Sequence, residues 1–208
     1  REALESFLVQ NDPKTLSEMN KVDPRELFLD LPWGPNDSPL RWAPDYEKYL
    51  LEIWEEERFT DYWKQIGLSI ESHLKHFSDI PQMHLGGWYD TYSKSTTDNY
   101  VQLSETKKGP IQLIMGPWTH GGRSVSFSGD VDLGDAAPVT ENLALDYNHL
   151  RLSFFDKWIK GKSDSSILDK NILVFVMGGG TGSKTLEGRL DHGGYWRSEE
   201  RWPLPDTK

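Results

Sequence analysis

The segments QMHLGGWYD at residues 82–90 and IQLIMGPWTHGG at residues 111–122 decide how this chain folds. Ile111 to Met115 is apolar without alternation, the pattern of a strand buried on both faces of a parallel sheet. Gln82 to Gly87 reads as a second short strand that stops at two glycines. Between them, Thr91 to Glu105 sets Thr, Ser, Asp and Asn on one side and Tyr100, Val101 and Leu103 on the other, which predicts a helix. Strand, helix and strand within about 30 residues make a βαβ unit, so the fold class is α/β. In open α/β sheets, ligands sit beyond the carboxyl ends of the strands. Each segment presents one titratable residue there: Asp90 in the first and His120 in the second. A carboxylate that accepts Nδ1–H from an imidazole fixes the tautomer and leaves Nε2 free as a general base toward a hydroxyl. Each residue also has an ordinary alternative, Asp90 as a helix cap and His120 as a satisfied turn residue.

Working outward, Glu141 to Lys160 carries Leu143, Tyr147, Leu150, Phe154 and Trp158 at helical spacing, with Gly161 as a C′ residue. A polar linker follows to Lys170, and Ile172 to Met177 is a strongly apolar strand. A domain boundary is expected near Gly161. Toward the N-terminus, Phe59, Trp63, Ile66, Ile70, Leu74 and Phe77 form a stripe that predicts one long amphipathic helix. Residues 21–45 are punctuated by Pro24, Pro32, Pro35, Pro39 and Pro44, which forbid long helices and read as a packed connector. Ala3, Leu4, Phe7 and Leu8 keep helical spacing with no cap before them, which suggests a piece of something longer.

Composition narrows the chemistry. The 208 residues hold 23 Lys and Arg against 33 Asp and Glu, a formal charge of −10. With no basic block, the chain lacks the electrostatic footprint of a nucleic-acid binder. The absence of cysteine excludes disulfides, thiolate nucleophiles and Cys-ligated zinc. No apolar run approaches the roughly 18 residues of a membrane-spanning helix, and Arg1 to Gln10 has no signal-peptide pattern. Neither nucleic acid nor membrane is expected as a partner.

Three other functions were weighed on the residues. Gly178 to Thr185 follows a strand and is glycine-rich, but Ser183 stands where a phosphate-binding loop needs glycine before its lysine. His73, His76 and His84 are not spaced as three or four converging zinc ligands, so no metal site is assigned. Nine tryptophans offer the alternative of a non-catalytic carbohydrate- or ligand-binding module. That alternative requires aromatics spread over an exposed sheet face, whereas Trp88 and Trp118 lie in glycine-flanked turns beside Asp90 and His120.

GGWYD followed about thirty residues later by GPWTHG resembles the cocaine-esterase-like and X-prolyl dipeptidyl-peptidase group of α/β-hydrolases. The resemblance extends through Gly129 to Gly134, the helix Leu152 to Gly161, Trp196 and Arg201 to Pro205; upstream, Asp61 to Trp63 is similar to the last cap helix. It covers about Thr60 to Pro205. It implies a serine hydrolase in which Asp90 orients His120 and a serine attacks an acyl carbon, with no cofactor. α/β-Hydrolases run nucleophile, acid, histidine, and Asp90 before His120 fits that order. The group's serine sits in a G-x-S-x-G elbow before the cap. Here the nearest match, Gly122 to Ser126, lacks the final glycine, and the oxyanion-hole tyrosine is also expected upstream.

The expected layout is therefore a helical cap segment and connector over 1–80 and the C-terminal half of the hydrolase core over 81–160. Residues 161–208 would be a linker and the start of a β-sandwich (jelly-roll) domain. The missing N-terminal half and the rest of that sandwich would belong to the same protein, and the piece alone would be inactive. Substrates would be small esters or short X-Pro peptides. Tyr92 and Ser93 stand where the branch acting on α-amino-acid esters has acidic residues, which argues against that branch. Trp88, Tyr92 and Trp118 would line an apolar acyl pocket, or else simply pack the two turns.

Overall fold

The computed structural model describes residues 9–65, 67–162 and 166–205, in two compact units that divide between Ser69 and Ile70. The expected helix over residues 3–8 lies outside the described residues. In the first unit, α1 (Pro13–Met19) and α2 (Pro24–Leu29) are one to two turns long. Each starts with proline, whose missing N–H costs nothing in the first turn, behind an aspartate cap: Asp12 for α1 and Asp23 for α2. The longer α3 (Pro44–Glu55) also begins at proline. Prolines thus set the helix starts, as the punctuation of residues 21–45 predicts.

Trp33 is buried in this unit, its indole N–H donating to the Leu27 carbonyl at 2.8 Å and its ring stacked on Trp54 at 5.2 Å. Glu47 on α3 is buried as well. It accepts from the Asn36 amide at 2.9 Å and the Ser38 hydroxyl at 2.8 Å, and so pins the Asn36–Ser38 turn. Burial works against its charge. The hydrogen bonds from Asn36 and Ser38, helped by the Arg41 charge, outweigh that and hold the carboxyl below its ordinary pKa.

The long helix expected over 59–77 does not form. Turns occupy residues 61–64, a short 3-10 helix covers Glu71–His76, and Ile66 lies outside the described residues. Gly67 takes φ +95°, which no helix allows, and the Trp63 indole turns back to donate to the Glu56 carbonyl at 2.9 Å.

The second unit is built on a sheet of order β1-β2-β5-β7. Strands β1 (Gln82–Tyr89), β2 (Ile111–Thr119) and β5 (Ile172–Met177) are parallel, and β7 (Gly194–Glu199) runs antiparallel to β5. Helix α4 (Ser93–Thr106) covers one face, where Tyr100 packs on Leu113, Met115, Ile172 and Val174. Helix α5 (Tyr147–Lys160) covers the other, where Leu150 packs with Ile114, Trp118 and Leu173. Burial on both faces is what the unbroken apolar runs of β2 and β5 predict. Helix α5 is capped by Asp146, which accepts from the His149 amide at 2.7 Å, and ends at Gly161 with φ +66°. Short strands β3 (Phe127–Ser128), β4 (Val131–Asp132) and β6 (Leu190–Asp191) make a small second sheet.

The compact units divide between Ser69 and Ile70, and β5 joins the core sheet, with Leu113 to Met115 of β2 in register with Ile172 to Val174. The buried Gln112 ties the intervening segment down by donating to the carbonyls of Ile167 and Lys170. Among the described residues no helix is long and apolar enough to cross a membrane.

Candidate active site

Strands β1 and β2 pair in continuous register from Gln82–Ile111 to Gly87–Gly116, and the next pair is Tyr89–Thr119. Two steps on β1 thus face three on β2. This bulge kinks the strand ends and brings the residues that follow, Asp90 and His120, level with each other. Two glycines make the close approach possible. A Cβ on Gly87 would lie 2.1 Å from the Trp118 carbonyl oxygen, and one on Gly116 would lie 2.4 Å from the Trp118 indole folded back over it. Gly87 is therefore a contact point between the strands, and Gly116 makes room for the Trp118 ring of its own strand.

The two side chains meet. His120 Nδ1 and Asp90 Oδ2 are 3.0 Å apart. The other carboxylate oxygen of Asp90 accepts from the Tyr92 amide at 3.0 Å. That amide does most to hold the Asp90 carboxyl below its ordinary pKa; the hydrogen bond and charge of His120 add to it against a cost of burial. Asp90 therefore stays ionised across the neutral range. Exposure divides the pair by role, with 13% for the Asp90 side chain and 75% for the His120 ring. The acid is sheltered, the imidazole is open, and among the described residues no hydrogen bond engages its Nε2. Tyr92 stands beside the imidazole, ring centroids 5.5 Å apart. A pocket of about 140 Å³ opens at this point, lined by Gly87, Asp90, Tyr92, Trp118, His120 and Arg123, among others.

A family model for X-Pro dipeptidyl-peptidase (S15 family) matches residues 10–122, more than half of the sequence and inclusive of Asp90 and His120. The chain belongs to this family. It is also 28% identical over 129 residues, 61% of its length, to the cocaine esterase of Rhodococcus sp. (strain MB1 Bresler). The matched stretch spans only 19% of that esterase.

The three aromatics expected at a pocket divide within this S15 chain. Tyr92 and Trp118 line it, while Trp88 does not. The Trp88 indole donates to the Phe175 carbonyl at 3.0 Å and packs against Trp202. Trp118 is 2% exposed, its indole N–H donating to the Ala137 carbonyl at 2.8 Å, so it forms the pocket floor as a core residue. Trp196 holds the Ala136 carbonyl in the same way and packs on Trp118 and Phe175. These tryptophans are ties between loops and sheet, not the exposed platform that a carbohydrate-binding module needs.

The remaining motifs find other employment. In the glycine-rich loop after β5, the Thr181 amide and hydroxyl donate to Asp191 at 3.0 and 2.7 Å, so a carboxylate already occupies donors that a phosphate would need. His73 and His76 lie on the 3-10 helix, and His84 on β1 packs edge-on to Tyr100. Among the described residues no three His, Asp or Glu side chains gather as a metal site. Arg123, the one cation in the pocket lining, was missed by sequence reasoning; its place three residues after His120 was the available signal.

Proposed function

We propose that this chain carries the acid–base half of a serine hydrolase that cleaves esters, or acyl and X-Pro amides, through an acyl-enzyme. The observation that supports it is the 3.0 Å contact between Asp90 and His120 at adjacent strand ends, with the carboxylate sheltered and the imidazole open. Asp90 accepts the Nδ1–H and so keeps the lone pair on Nε2. Nε2 takes the proton of a serine hydroxyl as it attacks the acyl carbon and returns it to the leaving alkoxide or amine. It then deprotonates the water that releases the acyl group. Asp90 stabilises the imidazolium formed in each step. Neither step calls for a cofactor.

The serine and the oxyanion hole are assigned to a part of the protein outside these 208 residues, since no G-x-S-x-G elbow occurs in them. The helical unit before Ser69 is assigned to the cap. Tyr92 and the Trp118 floor contact the acyl group. The whole protein should react with a fluorophosphonate probe at one serine, located by mass spectrometry of the labelled peptide, and His120→Ala should abolish the labelling. Unimpaired labelling and turnover in folded His120→Ala would refute the assignment.

A further inference from the structure

Arg123 is the structural feature that the acid–base pair leaves unused. Its guanidinium lies over the Tyr147 ring, 4.2 Å from the centroid, and its carbonyl accepts from the Val139 amide at 2.9 Å. These contacts hold it through the ring face and the main chain. Among the described residues no carboxylate pairs with it and no side-chain hydrogen bond engages it. A guanidinium held over a ring keeps its N–H groups for other acceptors, in a planar fork that matches a carboxylate. Arg123 lines the same small pocket as His120 and Tyr92.

The pocket's other fixed charge, Asp90, does not cancel this. Its oxygens are committed to His120 and to the Tyr92 amide, and its side chain is mostly covered. An anion entering the pocket therefore meets a lining cation that no carboxylate neutralises, whereas an ammonium group meets like charge.

We propose that Arg123 is a specificity residue that selects substrates bearing a carboxylate close to the scissile acyl bond, such as half-esters of short dicarboxylic acids. This rests on the hydrolase reading above. The size of the pocket favours a short spacer between the carboxylate and the carbonyl under attack. Tyr147 acts through Arg123, as its support.

The test compares two esters on the whole protein, 4-nitrophenyl butyrate and mono-4-nitrophenyl glutarate, which differ by a terminal carboxylate. In Arg123→Gln the ratio of kcat/KM for the glutarate over the butyrate ester should fall about 10- to 100-fold, the worth of one charge-assisted hydrogen bond. Arg123→Lys should keep part of the preference. Arg151→Gln removes the same charge from an exposed residue that also lies over Tyr147, 5.6 Å from its centroid, and should leave the ratio as it was. An unchanged ratio in Arg123→Gln, or an equal fall in Arg151→Gln, overturns the proposal while the hydrolase reading stands. If neither ester is turned over, the hydrolase reading fails. Calorimetric titration with glutarate then decides the pocket: binding weakened at least tenfold in Arg123→Gln supports it, and equal or no binding overturns it.

Discussion

Among the described residues before Ser69, the buried side chains are Trp33, Ser38 and Glu47, two of them polar; after it they are chiefly leucines, isoleucines and valines of β2, β5 and the helices and loops packed on them. The first unit is fastened by hydrogen bonds to one carboxylate and by stacked tryptophans. The second is fastened by apolar surface on both faces of a sheet. The difference teaches where precise chemistry can be placed. A packed sheet fixes its strand ends through many weak contacts, so Asp90 and His120 inherit their positions from the core. A unit pinned by Glu47 depends on a few strong bonds, each of which is a single point of failure.

Five substitutions would break or sharpen that contrast. The largest effect should come from the site. His120→Ala in the whole protein should lower kcat/KM by about a thousandfold or more, and Asp90→Asn by a similar factor, with little change in melting temperature. A parallel collapse of stability would mean that the pair holds the strand ends together. Gly87→Ala comes next, because its Cβ would strike the Trp118 carbonyl. It should cost about 3 kcal/mol and should reduce activity as well, by prising Asp90 from His120. Denaturant unfolding beside an esterase assay would detect an uncoupling of the two effects.

In the first unit, Glu47→Ala strips the Asn36 and Ser38 amides of their acceptor and should cost about 2 kcal/mol. Hydrogen exchange should accelerate at residues 36–40 and leave β1 and β2 protected. Uniform acceleration would dissolve the contrast.

The smallest effect is one of pH. Burial lowers the pKa of His84, and its Nε2 has no hydrogen-bond partner. As pH falls below the ordinary histidine value of about 6.5, the unfolded chain takes up this proton first, so stability should decline there. In His84→Leu the decline between about pH 6.5 and 5 should be shallower, by thermal melts across that range. Asp90, held below the ordinary carboxylate range, should leave the acid limb of the rate profile to other groups.

The second unit was the more legible in the sequence, for the same reason that it is the better packed. Leu113 to Met115 and Ile172 to Val174 are apolar because both their faces are covered, and such runs announce themselves. Asp90 and His120 were legible from their equivalent places after two strands. The stripe from Phe59 to Phe77 misled because spacing ignores Gly67: in a left-handed conformation it ends any helix, and both Phe59 and Phe77 are exposed. The polar segment after Gly161 gives no sign in its own residues of how it is held; Gln112, far away in sequence, is what ties it to the sheet. Glu47 left no trace because a charged residue on a helix looks the same whether it faces solvent or a turn, and Arg123 left only its place three residues after His120.

The bulge between Gly87–Gly116 and Tyr89–Thr119 has a consequence for redesign. It sets the spacing of Asp90 and His120 in the strands themselves, upstream of the loops that follow them. Residues 123–126 are thus a stretch that can be exchanged without re-registering the pair, whereas Gly121, at φ +81°, and Gly122, where a Cβ would meet the Thr119 hydroxyl, stay fixed. Arg123 sits on that stretch, so under the proposed hydrolase reading acyl preference and proton transfer would be separately editable, and a library confined to those four positions should change what is cleaved while keeping the means of cleaving it.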